Sequence, residues 1–387
     1  MQNRLEFPFS LWGKYRAMTS SIINILALDD QLEVEWADGH QYAFSFFWLR
    51  DNAKDESSFD IRSNQRELFT AGLPFDIKPI SADLEADQHA IAVRWPDIDA
   101  VVSYKSDMLY RESIRSLKGA DIQSGKVWGA SNRVQQLTLD SLLEERPSAG
   151  MSLVNALHAD GFALINDCPA EKASVNQIAS FLGYIRQTIF GGVWEFEADG
   201  DMADSAYTSK ALRPHTDGSY SFDAPGAQIL LCVENDAEGG KSVMVDGYKI
   251  AEQMKREHPG QYADLARLEV EGVYAGDGVE LRARRPTFRE DSQGNLVQVT
   301  FNNYDRSELL YPEPEMNCFY QALQTFDLAV NDAANQWTHQ LTVGQALVFD
   351  NWRMLHGRTA FSGNRKMIGA YTNREDLESR IRLLTNC

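Results

Sequence analysis

The chain has 387 residues, 43% of them apolar, with 56 acidic against 37 basic side chains and a formal net charge of −19. That is ample for more than one core, and the acidity argues against nucleic acid or an anionic membrane as a partner. Its four cysteines, Cys168, Cys232, Cys318 and Cys387, are scattered with no CxxC pair, which speaks against a disulfide framework or a zinc knuckle and suits a reducing cytoplasm.

Residues 1–21 carry Arg4, Lys14 and Arg16 against one acid, Glu6, but no continuous apolar run. A secretory signal is therefore not expected, and a mitochondrial leader is the alternative to a cytoplasmic setting. No segment is apolar over the length needed to span a bilayer. Residues 1–120 predict a small α+β domain. Residues 32–36 alternate, Asp38-Gly39 turns, and strand character resumes over 41–47. A similar unit recurs at 91–95, with Pro96-Asp97 as its turn. Each is followed by an aromatic-rich helical stretch, at Phe46-Phe47-Trp48-Leu49-Arg50 and at Met108-Leu109-Tyr110, which reads as an internal duplication. Residues 116–129, rich in Gly, Ser and Lys, predict a linker.

Residues 121–387 predict a second, mainly β domain. Helices are expected over 151–159, 171–182, 248–257 and 315–329, and strands over 228–233, 242–245, 296–301, 345–349 and 367–371. Many strands with long inserts suit a double-stranded β-helix, or jelly roll, which brings residues distant in sequence to one mouth.

Among the seven histidines, His215 and His356 stand beside strand-like runs with turn residues around them. His258-Pro259-Gly260 reads as a helix end, and His158 and His339 as surface or packing residues. A His-x-Asp triplet such as His215-Thr216-Asp217 is by itself a common structural pairing. Its weight comes from a distant partner, Asp350-Asn351-Trp352-Arg353-Met354-Leu355-His356-Gly357-Arg358, and from Arg365, nine residues past His356. Two imidazoles and one carboxylate can take one face of Fe(II) and leave the other open to a bidentate oxoacid and then O2. Arg365 is the candidate grip on the far carboxylate of that oxoacid. Ser242, after Gly239-Gly240-Lys241, either adds a hydroxyl to the same carboxylate or is an ordinary strand residue. Phe190, Trp194, Tyr207 and Tyr371 are candidate pocket aromatics. A quaternary ammonium cannot donate a hydrogen bond, so proteins hold it between π faces. Taken singly, each of these rings reads as core. The rival class is a metal-binding jelly roll without oxygenase activity, or a zinc hydrolase; a hydrolase needs a general base near the metal, and the chain offers no specific candidate.

Phe190-Gly191-Gly192-Val193-Trp194, Asp204-Ser205-Ala206-Tyr207-Thr208, His215-Thr216-Asp217, Phe301-Asn302-Asn303-Tyr304-Asp305-Arg306, the His356 segment and the early Trp48-Leu49-Arg50-Asp51 together resemble the γ-butyrobetaine hydroxylase and trimethyllysine hydroxylase family. The resemblance covers most of the chain. It implies a dioxygenase using Fe(II), 2-oxoglutarate and O2, with succinate and CO2 as coproducts, built as a homodimer. It implies His215, Asp217 and His356 as iron ligands and Arg365 as the 2-oxoglutarate anchor. Trp194, Tyr207 and Tyr371 match the cage around the trimethylammonium group, with Phe190 where a Tyr is usual. Asn302 matches a residue near the polar end of the substrate.

The departures carry information. Many relatives bind zinc in the N-terminal domain through a Cys cluster and a His; the matching stretch here, Asp51-Asn52-Ala53-Lys54-Asp55-Glu56-Ser57, has no Cys, so no structural zinc is expected. Gly218 stands where butyrobetaine hydroxylases tend to have a Tyr, and Asp204 where they tend to have an Asn. An Asp repels a carboxylate and welcomes an α-ammonium. Trimethyllysine is therefore the first expected substrate. γ-Butyrobetaine (carnitine formation) is second. A trimethylammonium phosphonate is third, if Arg213 and Arg306 face the pocket.

Overall fold

The computed structural model describes residues 21–118, 125–144, 146–197, 208–276 and 278–385. Contacts divide the chain into a smaller unit ending at Gly119 and a larger one taking residues 120 onward. In the smaller unit, Ile22–Ala27, Gln31–Trp36 and Gln41–Ser45 form an antiparallel meander that runs into helix Phe46–Asp51. Ser81–Leu84, Ala90–Arg94 and Val101–Lys105 repeat the pattern and run into helix Ser106–Lys118. The duplication is thus a meander-plus-helix used twice. The expected strand over 41–47 stops at Ser45 because the Ser45 hydroxyl accepts from Trp48 N (3.1 Å) and caps the helix. The helix expected at 108–110 extends to Lys118, so the first residues of the expected linker are helical.

The smaller unit has its own core. Trp36, Trp95, Tyr104, Val34, Val93 and Leu49 are all fully buried in one cluster. Arg50, 2% exposed, pairs with Asp97 (2.8 Å) and donates to Ser58 Oγ. A buried guanidinium is tolerable only with such partners.

The larger unit is a jelly roll. One sheet runs in the order Val193–Glu197, Arg365–Thr372, Ala227–Asn235, Ala346–Asp350, Phe162–Asn166, Gln135–Thr138, antiparallel except for the last pair. The facing sheet runs Leu212–His215, Met354–Arg358, Ser242–Asp246, Gln336–His339. Side chains of both inner faces meet in one cluster: Met244 and Met354 from the smaller sheet, Leu164, Leu347, Phe349 and Met367 from the larger. Period-two alternation makes the layers. Along Ala227–Asn235, Ala227, Ile229 and Leu231 face a helical layer of Arg146–Asp160, Lys172–Leu182 and Arg374–Thr385, while Leu230 and Cys232 point inward. Beyond the smaller sheet, Val245 and Leu355 pack under Gly247–Glu257, Pro259–Arg267 and Glu315–Val330. His258 closes the first of these helices and precedes Pro259 at the start of the next. Strand Leu296–Val299 is shorter than the expected 296–301, and Phe301 lies just past it. Among the described residues no helix is long and apolar enough to cross a membrane.

Candidate active site

His215 ends one strand of the smaller sheet and His356 is central in its neighbour. The two are direct cross-strand partners, so both rings stand on the inner face, 4.5 Å apart. The register slips between Leu212 and His215, a bulge of the kind that re-aims side chains at sites. Gly357 permits the close approach, since a Cβ there would lie 2.5 Å from Leu212 O. Asp217, two residues past His215 at the bend that follows the strand, completes the set. Its backbone is pinned by one amide side chain: Asp217 N donates to Asn351 Oδ1 (2.8 Å), and Asn351 Nδ2 donates to Asp217 O (3.0 Å).

Ligand atoms of His215, Asp217 and His356 all lie within 4.8 Å of one another. His215 Nε2 is 3.3 Å from Asp217 Oδ1, and His356 Nε2 is 3.6 Å from Asp217 Oδ2. An ion with bonds of about 2.1 Å spaces its cis ligands by about 3 Å, so the residues present fit a divalent metal. His215 Nδ1 lies 2.9 Å from Arg213 O. A carbonyl only accepts, so Nδ1 holds the proton and Nε2 presents its lone pair. Tyr371 donates its hydroxyl to Asp217 Oδ2 (2.7 Å). Burial alone would raise the Asp217 carboxyl, but the imidazoles of His356 and His215 and the Tyr371 hydroxyl outweigh it and hold it well below the usual carboxylate range. Burial works against a charge on His215 too, yet the Asp217 hydrogen bond and charge raise its pKa. For His356 burial wins and pushes the imidazole down to about 4. His356 is then neutral near pH 7, the form that binds metal.

These residues open into one cavity lined also by Phe190, Trp194, Ser242, Asn302, Arg365 and Tyr371. The sequence-derived candidates are therefore brought together, except Asp204 and Tyr207, which lie outside the described residues. Trp194 is Cα partner to Gly369 on the next strand; a Cβ at Gly369 would sit 2.0 Å from the indole, so glycine lets the ring lie across that strand. Trp194 in turn contacts Tyr371 (5.3 Å) and Phe190 (6.3 Å). Arg365 is buried, with its guanidinium 5.8 Å from the Phe361 ring and no carboxylate partner among the described residues. Burial lowers its pKa, but an arginine keeps its charge, so an anion must offset it.

Gly218 lines the cavity at φ +71, and a Cβ there would meet Pro225 Cδ at 2.5 Å. Its lack of a side chain is thus enforced by the turn. Arg213 pairs with Asp327 (2.9 Å), and Arg306 reaches Asn303 Oδ1 (3.1 Å) and the Tyr320 face; neither lines the cavity. Sequence reasoning missed Asn351, Asp305, Tyr220 and Arg358. Arg358 lines the cavity and donates to Thr208 O. Asn351 and Asp305 stand within the quoted motifs, but nothing in a linear pattern says which motif positions face inward.

Residues 114–371 match the taurine catabolism dioxygenase TauD, TfdA family, and residues 23–110 match the N-terminal model of the γ-butyrobetaine hydroxylase-like proteins. A trimethyllysine dioxygenase of Meyerozyma guilliermondii is 32% identical over 92% of this chain and 94% of its own length. The mitochondrial trimethyllysine dioxygenase of Gallus gallus is 31% identical over 92% of this chain and 86% of its own. A γ-butyrobetaine dioxygenase of Pongo abelii is 25% identical over 95% and 98%. The fold and site are those of an iron- and 2-oxoglutarate-dependent dioxygenase. The chain belongs to the TauD, TfdA dioxygenase family, and its γ-butyrobetaine hydroxylase-like N-terminal domain together with its trimethyllysine dioxygenase relatives makes it trimethyllysine hydroxylase-like.

Proposed function

We propose that the protein hydroxylates trimethyllysine, with His215, Asp217 and His356 holding Fe(II), Arg365 and Ser242 holding 2-oxoglutarate, and Phe190, Trp194, Tyr207 and Tyr371 holding the trimethylammonium group. The observation that carries the reading is the metal-spaced triad sharing one cavity with an aromatic wall and with the buried Arg365 guanidinium, which has no carboxylate partner among the described residues. When bound, iron and 2-oxoglutarate supply the oxidant: O2 oxidises the oxoacid to succinate and CO2 and leaves one oxygen for the substrate hydroxyl. The chain's own work is positional. Arg213 O fixes the tautomer of His215. Asn351 and Tyr371 fix the backbone and carboxylate of Asp217. Arg365 offsets the far carboxylate of the cosubstrate, and the trimethylammonium stacks on Trp194 and its neighbours.

A metal-binding jelly roll without a cosubstrate would leave Arg365 buried and uncompensated, which favours the oxygenase. A phosphonate substrate needs cations, and Arg213 and Arg306 are engaged elsewhere. γ-Butyrobetaine remains the second reading, favoured by the Pongo abelii relative. The proposal includes a domain boundary near residue 120, a homodimer and a cytoplasmic or mitochondrial-matrix setting; the free thiols of Cys168, Cys232 and Cys318 support a reducing compartment. Succinate release with iron and 2-oxoglutarate tests the function across trimethyllysine, γ-butyrobetaine and 2-(trimethylammonio)ethylphosphonate. Trimethyllysine should give the highest kcat/KM, and a preference for either other compound would overturn it.

A further inference from the structure

We propose that the Met244 thioether takes the oxygen atom when O2 and 2-oxoglutarate react with no substrate in the cavity, so that Met244 is a site of self-modification to the sulfoxide. This rests on the dioxygenase chemistry and on the triad as metal ligands, not on which trimethylammonium compound is the substrate. Met244 is central in strand Ser242–Asp246 and is the direct Cα partner of His356 on the neighbouring strand. Side chains of such a pair stand on one face, with Cβ atoms about 4.5–5.5 Å apart. Ser242, two residues earlier, shares that face. Met244 therefore stands between the metal ligands and the hydroxyl proposed for the oxoacid.

Three fully buried methionines meet in the inner core, Met244, Met354 and Met367. Among the described residues Met244 is the one methionine that lines the cavity. The Met354 sulfur lies against a different wall, since a Cβ at Gly161 would sit 2.5 Å from its Sδ. Met244 is 0% exposed, whereas Met151 is 39% exposed. An oxidant arriving from solvent meets Met151 first and Met244 last. An oxidant made inside the cavity reverses that order, so the pair separates the two sources.

The wall also holds rings, Phe190, Trp194 and Tyr371. Adding oxygen to a ring breaks a C–H bond or interrupts its aromaticity. A thioether offers a sulfur lone pair, and its oxidation to the sulfoxide breaks no bond of the side chain and moves no proton. The balance closes without a further reductant. In the oxoacid the bond between C1 and C2 breaks, giving CO2 and two electrons, and one atom of O2 enters the succinate carboxylate. The O–O bond breaks, the second atom forms the S–O bond of Met244, and the sulfur supplies the other two electrons. A bound substrate competes for that same atom, so self-modification belongs to turnover without substrate.

The test uses the full chain loaded with iron and 2-oxoglutarate, exposed without substrate to O2 labelled with oxygen-18, and then digested with trypsin. The peptide of residues 242–249, which follows Lys241 and ends at Lys249, holds Met244 as its one methionine. Mass spectrometry should find one labelled oxygen on it, in a fragment that loses methanesulfenic acid as a sulfoxide does. Whichever of the three trimethylammonium compounds the protein hydroxylates should suppress the label several-fold. Metal-free protein treated with hydrogen peroxide should show the opposite order, with Met151 oxidised before Met244. Label on the ring-bearing peptides or on Met151 in place of Met244 overturns the assignment. So does label that forms without 2-oxoglutarate, label that substrate does not suppress, or peroxide that reaches Met244 as fast as Met151; each of these leaves the hydroxylase reading intact. A wild type that forms no succinate with any of the three compounds overturns the hydroxylase reading, and this assignment falls with it.

Discussion

The carbonyl of Arg213 decides which nitrogen of His215 faces the cavity, and Tyr371 decides which way the Asp217 carboxylate turns. With both fixed, the three candidate ligands need little rearrangement to meet an ion. His215→Ala, Asp217→Ala and His356→Ala should therefore each abolish turnover and iron retention while the melting temperature stays close to wild type. Near-normal iron binding and succinate formation in any one of them would remove that residue from the ligand set. Arg365 carries a separate expectation. Its guanidinium is buried with no carboxylate partner among the described residues, so its loss should weaken the cosubstrate and spare the metal. A charge-assisted bond is worth roughly 1.5–3 kcal/mol, so Arg365→Ala should raise the 2-oxoglutarate KM more than tenfold with iron still bound. An unchanged KM would take Arg365 out of the site. At this scale the sequence was informative where chemistry forces residue identity, at His215, Asp217, His356 and Arg365. It was silent on residues that act by holding others. Asn351 is an ordinary turn residue until its amide is seen bridging Asp217 N and O.

Elements were legible where alternation or caps declare them. Residues 228–233 and 345–349 read as strands because apolar side chains fill both faces between a helical layer and the inner core. Residues 171–182 read as a helix, which the structure has over Lys172–Leu182. The strands that carry Ser242 and Tyr371 were expected, but the two that carry the histidines were not. Leu212–His215 contains Arg, Pro and His, and Met354–Arg358 contains His, Gly and Arg. His215, His356 and Arg358 on these strands line the cavity, so function replaces the hydrophobic pattern there. The hairpin Glu269–Gly276 with Val279–Pro286 was missed for a similar reason, since its charged, half-exposed strands lack a clean buried face. One consequence belongs to this scale. Val193–Glu197 and Arg365–Thr372 stay adjacent beneath Trp194 because residue 369 is glycine. Gly369→Ala should push the indole off the strand, at about 1–3 kcal/mol for overpacking. Loss of one cation–π contact, about 0.5–2 kcal/mol, should raise the trimethyllysine KM by roughly two- to thirtyfold and leave the 2-oxoglutarate KM near wild type. Crystallography or tryptophan fluorescence would show whether the ring has moved. A KM that stays put with a displaced ring would exclude Trp194 from the cage.

For the whole molecule, the question is how many metal sites the chain holds. The larger unit has one His–Asp–His group with metal-ligand spacing, and among the described residues no other cluster of His, Cys, Asp and Glu reaches it. The smaller unit builds its core from Trp36, Trp95 and Tyr104 and an internal pairing of Arg50 with Asp97. Residues 1–120 contain no Cys and two histidines: His40 bonds Ser113 Oγ (2.7 Å) and stacks on Trp36, while the His89 backbone N donates to Asp87 Oδ1 (3.0 Å) in a separate turn. Structural zinc is held almost always by four ligands, typically thiolates with imidazoles, and among the described residues of this unit no such set comes together. If no zinc is held there, the stability of this unit has to come from packing such as that of its fully buried tryptophans, Trp36 and Trp95. The double variant His215→Ala/His356→Ala removes the one metal-spaced group and leaves the smaller unit untouched. Elemental analysis of the purified full-length double variant should find far less than one equivalent of zinc or iron per chain, and a chelator should leave its melting temperature unchanged. One tightly held zinc per chain, with a melting temperature that falls on chelation, would mean that residues outside the described clusters build a second site and that the smaller unit depends on it.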